Sequence, residues 1–272
     1  MTRIHASELT KPDGLCPRAY ALHDVTKKKP RGGWLTTSEQ MTYQMGRDQE
    51  RNIVNWFADM GKAVCHWRCL SCNHLHEFQG RPYKCESCSF KVFKNEEVRF
   101  ESAITGASCG VDMLLALGEP KLRPVELKTM AADQFKALQA PLAEHRLRTN
   151  FYMRIIDESS HSWSNMVGHD KATIVYVSKS AYGCADDSLR KWGIKEGFSP
   201  LKEYDIKRND AETNVLADRS KVVKDYRAGL VGMPCGVCST AMSKRAGACA
   251  FKGECFSGEY PASYVWKGAP NV

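Results

Sequence analysis

No apolar run in this 272-residue chain approaches the roughly 18–20 residues that a membrane-spanning helix needs. The opening stretch, Met1-Thr2-Arg3-Ile4-His5, lacks the apolar segment of a secretory signal, so a reducing cytosol is the expected setting. No segment repeats itself, which sets solenoids and propellers aside. No stretch is dominated by one or two residue types. The apolar share of 43% is enough for a packed core, which excludes a collagen-like or wholly disordered chain. Acidic residues are in the minority, 31 against 39 Lys and Arg, and the net charge of +8 suits an anionic partner without identifying one. Cysteine, by contrast, is plentiful at twelve. In a reducing compartment, Cys-x-x-Cys pairs point to bound metal rather than to disulfides.

Helical and strand patterns alternate. Residues 1–35 read as a basic, loop-like lead that ends in Lys27-Lys28-Lys29-Pro30-Arg31-Gly32-Gly33. Thr37 or Ser38 is the expected cap of a helix running to about Met60, with Gly61 as its stop. Residues 65–90 form a cysteine-rich insertion. Val98–Ile104 and Val111–Leu117 predict a strand hairpin around a turn at Thr105–Gly110. Leu122–Met130 predicts another strand, and 131–158 a helical stretch broken at Pro141. Ala172–Ser178 predicts a buried strand, Leu201–Lys207 an edge strand, and Asp210–Gly229 a helix. The sum is a mixed α/β core.

The central chemical signal is Gly110-Val111-Asp112 followed by Pro124-Val125-Glu126-Leu127-Lys128. An aspartate inside an apolar strand is costly to desolvate unless it is paired or holds a cation. Glu126 and Lys128 are separated by one residue, so on a strand their side chains share a face. An Asp, a Glu and a Lys on neighbouring strands can build a site where carboxylates take Mg²⁺ or Mn²⁺ and the amine orients a water or steadies a phosphate oxygen. The plainer alternative is a surface Glu–Lys pair with Asp112 in a turn, because patterns this short recur by accident. Two flanking features extend the pattern. Glu50 lies one helical turn beyond Gly46 in Gly46-Arg47-Asp48-Gln49-Glu50. His145, Arg148 and Tyr152 fall near one face of a later helix.

The cysteines form two sets. Cys69-x-x-Cys72 and Cys85-x-x-Cys88 stand twelve residues apart. Four thiolates in two such knuckles close a tetrahedral zinc site, and a loop too small for its own core would draw its folding energy from the metal. Arg68, Arg81 and Lys84, with Trp67, His74, Phe78 and Tyr83, suit a nucleic-acid strand beside this ribbon, and a merely solvated ribbon is the alternative. The second set is Cys16, in Leu15-Cys16-Pro17-Arg18, with Cys235, Cys238, Cys249 and Cys255. Cys65, Cys109 and Cys184 have no evident partner and are expected to be buried free thiols.

In these residues the chain resembles the RecB-like branch of the PD-(D/E)XK nucleases. That family runs helix, strand hairpin with Asp, strand with Glu-x-Lys, then a helix with Gln-x-x-x-Tyr. The resemblance implies an α/β fold with a restriction-endonuclease-like core, a central mixed sheet flanked by helices, over 1–64 and 91–272, interrupted by a zinc-ribbon insertion at 65–90. It implies Asp112 and Glu126 as ligands of Mg²⁺ or Mn²⁺, with Glu50 as an additional ligand. Lys128 would assist the attacking water, and Arg148 and Tyr152 would position the strand. Arg148 departs from the family, which usually has Gln there.

The early Cys-Pro-Arg and the late Cys-x5-Cys are similar to those of the iron–sulfur members, including the CRISPR-adaptation exonucleases and the nuclease domain of AddB. They imply a [4Fe–4S] cluster joining the termini, on Cys16, Cys249 and Cys255 with Cys235 or Cys238. The alternative is a second Zn²⁺ on Cys235, Cys238, Cys249 and Cys255. The implied activity is metal-dependent cleavage of DNA with single-stranded or free ends, by an exonuclease acting 5′→3′ by analogy. Recombination, replication or end processing is the implied setting, in a bacterial, archaeal or phage-infected cytoplasm. A helicase or a recombination or replication protein would be the partner, and no membrane is involved. A structure-specific endonuclease and a non-catalytic nucleic-acid-binding subunit are the alternatives. Lys27, Lys28, Lys29 and Arg31 would track the DNA backbone, unless they form only a solvated loop.

Overall fold

The computed structural model describes residues 3–10, 14–28, 36–179, 201–267 and 269. A mixed sheet forms its core. Across it run β10 (Leu201–Lys207), β9 (Lys171–Ser178), β8 (Arg123–Met130), β7 (Met113–Leu115), β2 (Ala63–Cys69) and β3 (Leu75–Gln79), with β4 (Phe93–Glu96) also paired to β2. β8 and β9 are parallel, with Glu126 opposite Ile174 and Lys128 opposite Tyr176. The other pairings in this sheet are antiparallel. A small second sheet has the order β1 (Ile4–His5), β6 (Ala107–Val111), β5 (Val98–Glu101).

β9 shows why helices cover both faces. Its residues alternate sides, as a strand requires. Val175 and Val177 pack with Ile53 and Val54 of α3 (Thr37–Asp59). Ala172, Ile174 and Tyr176 pack with Phe135 of α4 (Ala132–Ala137) and Met153 of α5 (Ala143–Asp157). The other side of α5 inserts Phe151, Ile155 and Ile156 between the small sheet and α6 (Asp210–Arg227). The break between α4 and α5 falls around Pro141, as its missing N–H demands. Lys202 Nζ caps the exposed end of α4 by donating to the carbonyls of Phe135 (2.6 Å) and Leu138 (2.8 Å).

Three boundaries differ from expectation. The cap of α3 is Thr36, one residue earlier than Thr37. Its hydroxyl accepts the Glu39 N–H at 3.3 Å while the Glu39 carboxylate accepts the Thr36 N–H at 2.7 Å, a reciprocal capping box. The hairpin turns at 102–106, not at Thr105–Gly110, because Ser102 Oγ accepts the N–H groups of Ile104 and Thr105 and Gly106 takes a left-handed φ of 68°. The cysteine ribbon also grows directly out of the core. β2 pairs with β7 through Ala63 and Val64, and its outer half, from Cys65 to Cys69, then carries β3 and β4.

The two ends of the chain meet at Arg18, in α2 (Pro17–Thr26). This buried guanidinium donates to the carbonyls of Pro234 (3.3 Å), Cys255 (3.1 Å) and Tyr260 (2.5 Å). Arg18→Ala would leave those acceptors without a donor. It should cost about 3 kcal/mol and lower the melting temperature by roughly 5–10 °C. A scan showing no loss would mean the carbonyls find water instead. Among the described residues no helix is long and apolar enough to cross a membrane.

Candidate active site and metal centres

β6 and β7 are one run of chain broken at Asp112. The residues before it pair in the small sheet and those after it pair in the large one. Asp112 belongs to neither ladder, so the expected single strand Val111–Leu117 is interrupted at the point where the chain changes sheets. At this bend its Oδ2 accepts the Leu127 N–H at 2.7 Å, which ties Asp112 to the residue between Glu126 and Lys128. Glu126 and Lys128 share a face of β8, with Nζ 2.7 Å from Glu126 Oε1. α3 reaches the same place because Gly46 lets it ride close to β8. A side-chain carbon there would stand 3.3 Å from Thr129 Oγ1. One turn on, Glu50 points at the sheet. From α5, Arg148 Nη1 stands 3.5 Å from Glu126 Oε1, and its Nε donates to Thr10 Oγ1 at 3.3 Å.

Glu50, Asp112, Glu126, Lys128, Arg148 and Tyr152 therefore line one polar cavity of about 230 Å³. Residues distant in sequence are brought together there, among them two that the sequence reading passed over. Glu97, beside the end of β5, and His5, on β1, border the same cavity. Glu97 lies against Gly110, where any side-chain carbon would collide with its carboxylate. A glycine inside a strand two residues before a buried Asp is the one trace it leaves in the sequence.

The carboxylates of the cavity crowd one another, with Lys128 and Arg148 set against Glu126. Burial, then the nearby Glu126, raises the Asp112 carboxyl well above the usual carboxylate range, with Glu50 adding to the effect. Burial also raises Glu50, helped by Glu126 and Glu97. Burial disfavours the charged form of Lys128, but Glu126 and Asp112 outweigh it and hold the ammonium above its ordinary pKa. Burial and the facing carboxylates hold the Tyr152 phenol in its neutral form. Burial, with Lys128 and Arg148 nearby, pushes the His145 imidazole down to about 4. Buried hard oxygen donors that repel one another are the donor set a small divalent cation relieves. Among the described residues, the oxygens of Glu50, Asp112 and Glu126 do not all gather within 4.8 Å of one another, and Glu126 instead meets Lys128 and Arg148.

The ribbon sulfurs do gather. Cys69, Cys72, Cys85 and Cys88 offer ligand atoms within 4.8 Å of one another, with 3.5 Å between Cys69 and Cys88 and 3.6 Å between Cys72 and Cys85. Four sulfurs tetrahedral about one zinc at 2.3 Å would stand about 3.8 Å apart. The two knuckles share one geometry. The residue after each second cysteine is left-handed, Asn73 at φ 61° and Ser89 at φ 62°, and its N–H returns to the carbonyl of the first cysteine. Burial opposes ionisation of Cys69, yet the N–H groups of Cys72 and Ser71 pull its thiol down to about 7. The residues present fit zinc.

The second set is arranged differently. Cys16, Cys238, Cys249 and Cys255 line a narrow, mostly apolar cleft between α2, α7 (Lys244–Ala248) and α8 (Lys252–Phe256). No three of their sulfurs lie within 4.8 Å of one another. Cys235 lies instead in a satellite core with Val222 and Trp266. Cys65 and Cys109 are buried, and Cys184 lies outside the described residues. Of the basic lead, Lys28 pairs with Glu254 at 2.8 Å and Lys27 Nζ donates to the Asp24 carbonyl at 2.6 Å, while Lys29 and Arg31 lie outside the described residues.

No protein-family model and no curated protein matches this chain. Solved structures of similar layout include the alkaline exonuclease LHK-Exo from Laribacter hongkongensis, 13% identical over 84% of this chain and 87% of that one, at a TM-score of 0.43. A phage-related exonuclease from Haemophilus somnus 129PT is 13% identical over 84% of this chain and 95% of that one, at a TM-score of 0.38. The structure of SSO0001 is 12% identical over 83% of this chain and 75% of that one, at a TM-score of 0.38.

Proposed function

We propose that this protein is a metal-dependent nuclease that hydrolyses DNA phosphodiesters, acting as an exonuclease on single-stranded or free ends. The observation that carries this reading is the convergence of Glu50, Asp112, Glu126 and Lys128 on one polar cavity at the switch between two sheets. Mg²⁺ or Mn²⁺ held by Asp112, Glu126 and Glu50 would acidify a water and polarise a phosphoryl oxygen. The protein does the rest. Asp112 is held by the Leu127 N–H, so its carboxylate is set before any ion arrives. Glu126, now against Lys128 and Arg148, would hold the ion, and those two cations would meet the anionic phosphate and the attacking water. Arg148 offers a forked guanidinium to a phosphate where an uncharged amide would offer only one donor pair. A 5′→3′ polarity and a role in recombination, replication or end processing belong to the same proposal.

The test is incubation of labelled linear and circular single-stranded DNA with Mn²⁺. Lys128→Ala should lower the rate on the linear strand by about 10²–10³-fold, and the circle should stay uncut. Equal rates for the native protein and the variant would remove Lys128 from the chemistry. Cutting of the circle would turn the proposal toward an endonuclease.

The cation also has a pH signature. Asp112 and Glu50 have raised pKa values in the folded state, so their ionisation costs stability as pH climbs past the ordinary carboxylate range. A divalent ion takes the place of the proton. The rise in melting temperature produced by Mn²⁺ should therefore be larger at about pH 8 than at about pH 5.5. A rise that is flat or shrinks over that interval contradicts carboxylate ligation.

The same proposal assigns Zn²⁺ to Cys69, Cys72, Cys85 and Cys88, and a [4Fe–4S] cluster to Cys16, Cys238, Cys249 and Cys255. The zinc assignment rests on the gathered ribbon sulfurs, and the cluster assignment on the four cysteines that line one apolar cleft between the two ends of the chain. Cys235, packed against Trp266, is left out. With Arg18, the cluster would close the loop between the chain's two ends.

A further inference from the structure

One more group of ligating side chains converges outside the carboxylate cavity and the two cysteine sets. His74, His76 and Glu86 each bring a ligand atom within 4.8 Å of the others. They come from separate parts of the ribbon. His74 follows the first knuckle, His76 lies on β3, and Glu86 sits inside the second knuckle between Cys85 and Cys88. The two imidazoles are nearly perpendicular, at 83°, with centroids 4.6 Å apart. Two imidazoles bound to one ion at about 2.1 Å, with a bond angle of roughly 90–110°, place their centroids about 4.6–5.3 Å apart, so the observed pair matches the narrow end of that range. His76 is only 2% exposed, with Nδ1 4.0 Å from Glu86 Oε1 and Nε2 buried without a hydrogen-bond partner. Its edge contact with Phe93, at 5.4 Å between centroids, explains the packing of the ring but gives that nitrogen nothing to bind. The nitrogen that faces Glu86 is Nδ1, and it is the one that would join His74 and Glu86 on a shared ion; the unpartnered Nε2 is the other ring nitrogen.

We propose that His74, His76 and Glu86 form a second metal site on the ribbon, separate from the four-thiolate centre and suited to a divalent transition ion such as Zn²⁺. Two imidazoles and one carboxylate select such an ion over Mg²⁺ or Ca²⁺, which prefer oxygen alone. The ion would tie β3 to the second knuckle and brace the ribbon from outside its thiolate centre. With three protein ligands and two of them exposed, it keeps a coordination place open to solvent or to an anion.

Equilibrium dialysis of the full-length protein against Zn²⁺, repeated with Co²⁺, tests this. Metal is counted per chain, and the sulfur-to-cobalt charge-transfer band reports the thiolate centre independently. The substitutions are His74→Ala and Glu86→Gln, since both side chains are exposed and the buried His76 is better left alone. At a buffered free Zn²⁺ that fills the thiolate centre, native protein should bind one more ion than either variant. Affinity for that ion should fall at least about tenfold in each, with the thiolate band unchanged. Equal counts and affinities in all three proteins overturn the proposal. So does a thiolate band that falls along with the ion, because His74 and Glu86 would then be serving the cysteine centre. No cleavage is measured, so the result stands whether or not the nuclease reading does.

Discussion

Asp112→Asn should abolish metal-dependent cleavage while leaving the metal-free protein at least as stable as before. The two halves of this result have one cause. Asp112 is buried beside Glu126 and Glu50, and its charge is opposed by burial and by both neighbours. An amide removes that charge, keeps an oxygen to accept the Leu127 N–H, and fills nearly the same volume. Stability above the carboxylate range should therefore hold or rise, by about 1–2 kcal/mol, which is a few degrees in melting temperature. The same change takes away one of the proposed metal ligands. Cleavage should drop by about 10³-fold or more, and the Mn²⁺-induced rise in melting temperature should shrink with it. Calorimetry with and without Mn²⁺, beside a single-turnover cleavage assay, reads all three quantities. An unstable Asn variant would mean that Asp112 is a structural acceptor first. A stable variant that still cleaves would take the carboxylate out of the reaction.

The second large effect is local unfolding of the ribbon on loss of the proposed zinc, by Cys85→Ala or by chelation. Between Cys69 and Phe93 the chain has few apolar side chains to bury: Leu70, Tyr83, Phe90 and Val92 are all exposed. A metal worth about 10 kcal/mol or more to such a knuckle pair is nearly its whole folding energy. Limited proteolysis should then cut within residues 70–92, which the zinc-loaded protein protects. The rest of the sheet should persist, because Cys65 and Trp67 of β2 are anchored in the core with Leu127 and Val175. Trp67 also donates its indole N–H to the Gln79 carbonyl at 3.0 Å, so its fluorescence marks how far the damage spreads down the strand. A ribbon that resists protease equally without metal would show that side-chain packing holds it.

Much of the fold was legible from local pattern. β9 and β10 were readable because β-branched runs and alternation are properties of a few consecutive residues. The break at Pro141 follows from a missing N–H, and the twin knuckles from spacing alone. The Glu126–Lys128 face follows from the two-residue period of a strand. Other features were not legible. Asp112 is flanked by apolar residues on both sides, so nothing local signals a bend there. Glu97 follows Glu96, and the pair looks like solvated charge, although Glu96 goes to Arg68 at 2.5 Å while Glu97 borders the cavity. That Cys235 packs with Trp266 while Cys238 lines the cleft was not legible either, since it depends on a residue about thirty positions further along the chain.

By itself, then, the amino-acid sequence determined which side chains are available for chemistry and which short elements carry them, since propensity, periodicity and knuckle spacing act over a few residues. Only the tertiary structure decided that four carboxylates, a lysine and two arginines share one cavity, which cysteines face a common cleft, and that the ribbon is an extension of a core strand. Those outcomes depend on how strands are ordered in two sheets and where the chain passes from one to the other. Pairing of that kind is settled by burial between segments a hundred residues apart, and no local pattern encodes it.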